Sequence, residues 1–561
     1  MKFDSRANLH VPVDEPLIVD NPDQYPWDRD VDVAVVGLGL AGASAALEAA
    51  DHGARVLVLD RLGGGGASGI SGGVVYAGGG TRQQREADVE DTPENMYEYL
   101  RVQVGGVVSD ETLRRFCHES VVNLEWLEHF GVRFSSRYYK EKNSFPGGAW
   151  GLYHSGNEAY APYNANSTSA ARGHVTQGGG YFGGPGLMRP LIEALCRRYA
   201  ERVELLRFAE VFGLIVDSRN NVVGVRYRLG SQGGPVYALR ASLHWMASKI
   251  NIAMPRGGAP LRKLAGLLSV FDREQSVRVR KGVVLSAGGF IFNKPMVEQA
   301  TGARLLTPHA LGEDCNGSGI RLGLTRGAAT DRIDRLTYWR FYAPPHAWLK
   351  ALAVGTSGKR LCNEALYGAT VADVMREKSG GRGWLILDKP LMQEAYVQLR
   401  SDMALIQKLM SLMYIVRCTR KATTAADLAR KIGVPVDVLE TTLQTYNQSI
   451  ADGGTDEYAK PDKYRMPLGN SHYYAIDISI GSKFPCPTLT LGGLRVNEKS
   501  GLVIDGEGRE IAGLYAAGRN AVGLCAHTYI SGLSLADCLF SGRRAGRHAA
   551  TGSIPSASTS A

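Results

Sequence analysis

The sequence predicts an α/β protein, in which a Rossmann-like domain of parallel strands is interrupted by an inserted α+β domain. Three observations support this prediction. A short apolar run at 31–36 leads directly into a glycine loop and then into a helical stretch. Strand-plus-glycine segments recur at 282–289 and 513–518. The 561 residues exceed what one ordinary hydrophobic core supports, so a second domain is expected.

The first glycine loop lies in a complete strand–loop–helix–strand unit, 31–60, which ends on Asp60, 18 residues after Gly42. In a dinucleotide-binding unit, Gly37 allows the tight turn, Gly39 lets the backbone approach a pyrophosphate, and Gly42 lets the helix pack on the strand. Asp60 can accept hydrogen bonds from a ribose. A glycine-rich turn without a ligand is the alternative, but the order of the parts favours dinucleotide binding.

A run of small residues, GGGGASGISGGVVYA at 63–77, follows the second strand. It suits a backbone that wraps along the ribityl chain and ring of a flavin, and a flexible surface loop is the alternative. The sequence therefore predicts FAD rather than NAD. Besides the first loop, the candidate contacts are Ala67, Ser68, Ser71, Gly72, Gly73, Val211, Ala287, Gly288, Gly518, Asn520, Ser534 and Leu535.

The strand-plus-glycine segments at the start, middle and end of the chain must converge on one cofactor. This requirement predicts a FAD-binding domain made of two parts, 28–295 and 488–550. The inserted catalytic, or capping, domain then spans 296–487. The low-complexity tail, 551–561, is expected to be disordered.

Composition excludes several other classes of protein. The net charge of +9 would permit nucleic-acid binding, but the basic residues are dispersed and no RNA-reading motif accompanies them, so no nucleic acid is expected. The eight cysteines form no CxxC or CxxCH motif, so no metal, iron–sulfur or attached haem site is predicted. No apolar window has the length of a signal peptide or a membrane span, so a cytoplasmic location is expected.

Several motifs together resemble the fumarate reductase and succinate dehydrogenase flavoprotein superfamily, and within it the 3-ketosteroid dehydrogenase branch. The resemblance extends over roughly 31–549. It rests on the motifs GLGLAG, GGASGISGGVVYAGGGT, LSAGGF, GKRLCNE, GLYAAGRNAVG and TYISGLSLADCLFSGRRAG.

Two positions depart from fumarate reduction. The arginine of the fumarate reductase motif HGANRLGGNS falls on Tyr529, and a second arginine, three residues after the glutamate of the NE motif, falls on Tyr367. Phenols cannot make the bidentate contacts that a dicarboxylate needs. They leave hydroxyls and aromatic surfaces, which suit a large apolar ketone. The alternative is that both tyrosines are buried aromatics with satisfied hydroxyls.

The sequence TYISGLS, with Ser531 two residues after Tyr529, resembles the Δ4-(5α)-dehydrogenases, whereas Δ1-dehydrogenases resemble TYPGAG at this motif. This resemblance implies Tyr367, Tyr529 and Ser531 as the reactive groups, with Tyr342 as a lesser candidate. It implies that a 5α-saturated 3-ketosteroid loses a proton next to its ketone and a hydride to flavin N5, which forms the 4-ene. The electron acceptor is not identified.

Other functions stay open at this point. The chain could be a Δ1-dehydrogenase, or a fumarate-reductase-like ene-reductase of another unsaturated acid or ketone. A third hypothesis is a flavin-bearing subunit of an RNA-modifying or respiratory assembly. In the succinate dehydrogenases a histidine bonds the flavin covalently, and its equivalent here is Gly66, so the resemblance implies non-covalent FAD.

The segment 241–281 combines basic residues with apolar ones such as Trp245 and Leu267. One interpretation is a basic amphipathic patch that makes a weak membrane-surface or subunit contact. The other, which we favour, is a partly buried excursion between two strands of the flavin domain.

Overall fold

The computed structural model describes residues 13–253, 257–307, 310, 312, 315–400, 403–469 and 472–553. The strands are β1 (Leu17–Val19), β2 (Arg29–Val36), β3 (Val56–Asp60), β4 (Val74–Tyr76), β5 (Tyr138–Tyr139), β6 (Leu152–Tyr153), β7 (Gly173–Val175), β8 (Val203–Arg207), β9 (Ala209–Asp217), β10 (Val222–Leu229), β11 (Arg273–Leu285), β12 (Thr330–Asp331), β13 (Leu336–Tyr338), β14 (Leu352–Val354), β15 (Trp384–Asp388), β16 (Thr419–Ala422), β17 (Tyr473–Asp477), β18 (Thr488–Thr490), β19 (Gly493–Leu494), β20 (Leu502–Ile504) and β21 (Glu510–Ala516). The helices are α1 (Leu40–Asp51), α2 (Gly66–Gly69), α3 (Arg82–Glu86), α4 (Pro93–Val104), α5 (Asp110–His118), α6 (Ser120–His129), α7 (Gly184–Arg197), α8 (Gly234–Ala253), α9 (Ala259–Leu267), α10 (Lys294–Thr301), α11 (Ser318–Leu324), α12 (Gly368–Ser379), α13 (Lys389–Gln398), α14 (Leu405–Cys418), α15 (Ala425–Ile432), α16 (Val436–Ala451) and α17 (Leu533–Thr551).

The main sheet confirms the predicted α/β class. Its parallel core runs in the order β8, β3, β2, β11 and β21. Strand β10 pairs with the same edge of β11 as β21 does, and β9 and β1 extend the sheet beyond β10. The carboxyl ends of the parallel strands therefore meet at one edge, which is where open α/β sheets bind their ligands. The predicted hairpin of β9 and β10 is antiparallel, as expected.

Strand β11 is longer than the sequence indicated. Its first half pairs with β10 and its second half, at Val283–Leu285, pairs with β21, while β2 lies along its other side. It begins at Arg273, nine residues before the predicted start at Gly282. The interpretation of 241–281 as one excursion was therefore wrong for its last part: 273–281 belongs to the sheet, and only α8, α9 and a short 3-10 turn lie between the strands.

The two ends of the chain are packed tightly against each other through α1 and α17. A Cβ atom on Gly542 would lie 2.4 Å from the Ala41 carbonyl oxygen, and one on Gly546 would lie 2.2 Å from that of Ala45. The glycines of α17 thus let the two helix backbones approach closely. Buried Glu48 adds ion pairs to Arg543, at 2.9 Å, and to Arg547.

A second hydrophobic cluster is formed around the antiparallel sheet β14–β15–β17–β16 and the helices of 368–451. Strand β18 returns to pair with β13, which precedes that sheet. The domain boundaries at 295 and 487 stay predictions. Of the predicted tail, 554–561 lies outside the described residues, and Thr551 still belongs to α17. No helix in the described part of the chain is both long and apolar enough to span a membrane.

Candidate active site

One cavity of about 440 Å³ opens at the carboxyl ends of the parallel strands and extends to an aromatic cluster. Most of the predicted site residues line it. These are Gly37, Gly39, Asp60, Ala67, Ser68, Ser71, Gly72, Gly73, Val211, Ala287, Gly288, Tyr342, Tyr367, Tyr529, Ser531, Ser534 and Leu535. Gly42, Gly518 and Asn520 do not. We call the cavity-lining residues of the stretch 37–73 the glycine wall, and Trp339, Phe341, Tyr367, Tyr529 and Ser531 the aromatic wall.

The three loop glycines differ in what a side chain would meet. Gly37 has a φ of +100°, and a Cβ there would lie 2.8 Å from the Ala287 Cα. At Gly42 a Cβ would lie 1.9 Å from the carbonyl oxygen of Gly37, so this glycine serves packing and not contact. At Gly39 the nearest atom is the Ser68 hydroxyl at 3.5 Å. The protein leaves room beside Gly39, as a pyrophosphate-binding loop requires.

Asp60 holds the glycine wall in shape. Its carboxylate accepts hydrogen bonds from the backbone N–H groups of Leu38 at 2.7 Å, Leu62 at 2.8 Å and Gly64 at 3.1 Å. Two carboxylate oxygens can accept about four hydrogen bonds, so one position remains for a ribose hydroxyl. The predicted ribose contact is therefore compatible with the structure, and Asp60 has a second role in the loop.

The amino end of α1 and one arginine fit an anionic group. The Ser68 hydroxyl accepts the Leu40 N–H at 3.1 Å, which places this side chain at the first turn of α1. Arg519 also lines the cavity, and its Nη1 is buried without a hydrogen-bond partner among the described residues. A helix N-terminus and a guanidinium are the groups that bind phosphates in proteins. The residues present fit the diphosphate of FAD.

Neither neighbour of Arg519 lines the cavity, so their predicted contact with the cofactor stays a prediction. The Gly518 N–H donates to the Ser541 hydroxyl at 2.9 Å, because this residue packs against α17. The side chain of Asn520 is buried beside α11, and a Cβ on Gly319 would lie 2.6 Å from it. Within this motif, the arginine between the two predicted residues lines the cavity.

The aromatic wall joins segments that are far apart in the sequence. The ring of Tyr529 stacks on Trp339 with centroids 4.7 Å apart, and its centroid lies 6.5 Å from that of Tyr367. Phe341 packs against Tyr367 at 5.6 Å. Both tyrosines are buried, and the hydroxyl of Tyr529 has no hydrogen-bond partner among the described residues. It is thus available to a group in the cavity.

Ser531 lies between two phenols. Tyr153, in β6, donates its hydroxyl to the Ser531 oxygen at 3.1 Å. Ser531 is also close to Tyr367 and acts to lower the pKa of that phenol. Burial nevertheless raises the pKa of Tyr367 and of Tyr529 far above the ordinary value, with smaller contributions from neighbouring phenols and thiols. At neutral pH these phenols are therefore hydrogen-bond donors and not phenolates.

Tyr342, the lesser candidate, uses its hydroxyl elsewhere. It donates to the carbonyl oxygen of Glu364 at 2.7 Å and is buried in the second hydrophobic cluster. Its ring contributes to the cavity lining, but its hydroxyl is engaged with the backbone. Tyr367 is the tyrosine of this region whose phenol lies beside Ser531.

Asn157 positions Tyr367. Its side-chain oxygen accepts the backbone N–H of Tyr367 at 2.6 Å, and its amide nitrogen donates to the Thr370 hydroxyl at 2.9 Å. Tyr367 is the N-cap residue of α12 and makes no side-chain cap of its own. Asn157 therefore caps this helix from another part of the chain and satisfies an N–H that the helix leaves unpaired.

A buried ion cluster holds the segment before Tyr367. Glu364 pairs with Arg360 at 2.9 Å and with Lys460 at 3.0 Å, and Arg360 reaches Asp456 at 2.7 Å. Although burial opposes ionisation, Lys460 and Arg360 keep the pKa of Glu364 below its usual value. Because removing one member would leave a buried charge unpaired, the cluster fixes this backbone firmly.

Sequence reasoning missed Tyr153, Trp339, Asn157 and Arg519. Tyr153 and Asn157 lie in a segment, 152–158, that has no recognisable motif. Trp339 belongs to the aromatic run 338–342, in which the sequence pointed only to Tyr342. Among the described residues no group of three or more His, Cys, Asp or Glu side chains could hold a metal ion. All eight cysteines are free thiols, and Cys196 alone is exposed.

Comparison with known proteins decides the family. A family model described as "FAD binding domain" matches residues 32–532. The chain belongs to this family. This flavoprotein is an FAD-dependent oxidoreductase, as the sequence predicted. This family assignment explains the glycine wall, which leaves space beside Gly39 for a pyrophosphate.

Relatives of the flavoprotein include steroid enzymes. It is 36% identical over 532 residues to a 3-oxo-5-alpha-steroid 4-dehydrogenase of Comamonas testosteroni, covering 92% of this chain and 98% of that protein. It is 26% identical to a 3-oxosteroid 1-dehydrogenase of Mycobacterium tuberculosis, covering 90% and 95%. A solved 3-ketosteroid-delta4-(5alpha)-dehydrogenase from Rhodococcus jostii RHA1, in complex with 4-androstene-3,17-dione, matches with a TM-score of 0.78 and 29% identity, covering 96% and 100%.

Proposed function

We propose that this flavoprotein desaturates a 5α-saturated 3-ketosteroid and forms the 4-ene. The observation that carries the proposal is the aromatic wall: Tyr529 and Tyr367 lie where fumarate reductases resembling this chain have arginines, and Ser531 lies beside them. The 36% identity to the Comamonas enzyme over almost its whole length supports the same substrate class. An apolar wall with a few hydroxyls suits a ketone on a large hydrocarbon ring system.

The residues divide into two roles. The Tyr529 hydroxyl has no partner among the described residues, so it donates to the ketone oxygen and stabilises the enolate that develops there. Ser531 accepts a hydrogen bond from Tyr153 and lies beside Tyr367, so the proton from the carbon next to the ketone passes to the Ser531 oxygen while the Ser531 hydroxyl gives its own proton to this chain of hydroxyls, which returns it to solvent. When bound, FAD supplies the hydride acceptor. Trp339 and Phe341 exclude water from the reacting face.

We propose that FAD is bound without a covalent bond. Position 66, where the succinate dehydrogenases carry a histidine, is a glycine with a φ of +51°, and a Cβ there would lie 3.4 Å from the Gly39 Cα. Acid precipitation of the purified protein should release all flavin into the supernatant. Flavin that stays with the denatured polypeptide would contradict this proposal.

The remaining partners are less defined. The electron acceptor is not identified, and the cytoplasmic location stays a prediction. The helices α8 and α9 in 241–281 carry exposed Trp245, Leu264 and Leu267 together with Lys249 and Lys263. These side chains support the proposal of a weak membrane-surface contact by this segment.

The decisive experiment is anaerobic mixing of the yellow protein with candidate substrates while flavin absorbance is followed. A 5α-saturated 3-ketosteroid should bleach the flavin, and succinate should leave it unchanged. Bleaching by the 4-ene alone would replace the proposal with Δ1-desaturation. Oxidation of the dithionite-reduced enzyme by a small unsaturated acid, with no response to any steroid, would indicate an ene-reductase.

A further inference from the structure

Helix α14 presents a stripe of large apolar side chains to the outside of the molecule. Leu405, Leu409, Leu412 and Val416 are 73%, 56%, 48% and 71% exposed. Their spacing of four, three and four residues places them on one face of the helix. Isolated exposed leucines are common on protein surfaces, but a continuous apolar stripe marks a surface that another partner covers.

The opposite face of the same helix lines the cavity. Ile406, Gln407, Met410, Ser411 and Tyr414 contribute to the cavity wall, and Ser411 and Tyr414 are buried. The Gln407 amide donates to the Phe145 carbonyl oxygen at 2.9 Å, which ties α14 to the rest of the wall. A helix with its side chains is about 10 Å across, so one helix thickness separates the apolar stripe from the substrate cavity.

The segment that carries the stripe is mostly basic. Between residues 399 and 422 the sequence has five basic residues and one acidic residue, Asp402. Lys408 and Arg417 lie on α14 itself, and neither forms an ion pair among the described residues. A second copy of this chain would bring the same cations together across a two-fold interface, which is unfavourable. Anionic phospholipid headgroups would instead complement them, with the leucines inserted between the headgroups.

We propose that the outer face of α14 docks on an anionic phospholipid bilayer, and that the apolar substrate enters the cavity from the bilayer beside this helix. The docking is independent of the reaction. The entry route rests on the proposed function, because it needs a substrate that partitions into lipid. The docking surface is separate from α8 and α9, whose contact is weak.

Docking is tested by cosedimentation of the FAD-loaded enzyme with vesicles rich in phosphatidylglycerol. The variant Leu409→Glu/Leu412→Glu changes two exposed side chains, so its flavin spectrum and melting temperature should match the wild type. Its vesicle affinity should fall about 100-fold or more, since each buried leucine contributes about tenfold. The matched control is Leu264→Glu/Leu267→Glu in α9, where the side chains are 50% and 66% exposed. It should retain most of the binding.

The wild-type enzyme should bind pure phosphatidylcholine vesicles more weakly and should be released by salt. Unchanged binding of the α14 variant, or loss of binding in the α9 control alone, would overturn the docking proposal. So would a wild type that ignores vesicles while light scattering shows a dimer that the α14 variant cannot form, because the stripe would then be a subunit interface.

The entry route has its own measurement. With the ketone dissolved in the vesicles, the α14 variant should reduce its flavin more slowly than the wild type, and with the ketone in dilute aqueous solution both should react alike. Equal rates with vesicle-loaded ketone, despite lost vesicle binding, would overturn the route. If no steroid reacts at all, the proposed function fails, and the cosedimentation result still decides the docking.

Discussion

The glycine wall and the aromatic wall enclose the same cavity but are built in opposite ways. The glycine wall comes from one continuous stretch, 37–73, and its shape depends on backbone contacts, with Asp60 binding three N–H groups. The aromatic wall joins β6 with segments near 339, 367 and 529, and side chains hold it together. One substitution in the glycine wall should therefore abolish cofactor binding, whereas single substitutions in the aromatic wall should slow flavin reduction by different amounts.

The largest effect is expected at the glycine wall. Gly39→Val should yield folded, colourless protein, because the added side chain fills the room left for the pyrophosphate and its Cβ comes no closer to a protein atom than 3.5 Å from the Ser68 hydroxyl. The matched substitution Gly42→Ala should lower the yield of folded protein, because its Cβ would lie 1.9 Å from the Gly37 carbonyl oxygen. The flavin-to-protein absorbance ratio and circular dichroism measure both. A yellow Gly39→Val protein would show that Gly39 is not needed for cofactor binding and that the two glycines do not differ in role.

The next largest effect is expected at Tyr529. Tyr529→Phe keeps the ring stacked on Trp339 and removes the hydroxyl, so FAD should remain bound while anaerobic flavin reduction slows about 10²-fold or more. Ser531→Ala tests the proton-accepting group in the same assay. Groups that act as one unit lose activity non-additively, so the double variant should be little slower than the slower single one. Fully multiplicative losses would argue against a coupled pair.

A smaller effect is expected where Tyr367 is positioned. Asn157→Leu leaves the buried Tyr367 N–H without an acceptor, which should lower the free energy of unfolding by about 1–3 kcal/mol and slow flavin reduction less than Tyr529→Phe does. Thr370→Val is the matched control, because it removes only the partner of the Asn157 amide nitrogen. Denaturant unfolding and stopped-flow reduction measure the two effects. Equal behaviour of both variants would show that the N–H contact does not matter.

The smallest effect is expected for Tyr153→Phe. This change removes one hydrogen bond to Ser531, which contributes about 0.5–1.5 kcal/mol, so flavin reduction should slow about two- to twelvefold. Flavin content should not change. If Tyr153→Phe slowed flavin reduction as much as Ser531→Ala does, Tyr153 would be an obligatory part of proton transfer. Single substitutions in the aromatic wall would then not have graded effects.

The two walls also differ in how far the sequence predicts them. Gly37, Gly39 and Gly42 have separate predicted tasks that follow from the backbone of one local unit, and the space beside each glycine is compatible with its task. At the aromatic wall, Tyr367, Tyr529 and Ser531 were found through a resemblance, and Tyr153 and Asn157 were not found. Their contacts span 378 and 210 residues of sequence, and no local spacing encodes a meeting of that kind.

The local differences between the sequence prediction and the structure also arise from contacts that a single sequence does not show. Arg519 lines the cavity but was not predicted to do so, because a motif places a turn but not the direction of each side chain. The start of β11 was missed because it is charged, with Arg273, Glu274 and Arg278 in a stretch whose partners β10 and β2 lie on either side. Pairing on both edges outweighs a weak strand propensity, and a single sequence does not show that pairing.

The close packing of α17 on α1 determines when the flavin domain can form during synthesis. More than 470 residues separate Asp60 from the start of α17. At about 5–20 residues per second, a ribosome needs roughly 25 to 95 s to make them. Throughout that interval the face of α1 that packs against α17, with Ala41 and Ala45, stays uncovered. The contact between α1 and α17 can therefore form only when translation is almost complete, and we expect FAD to be captured after that point.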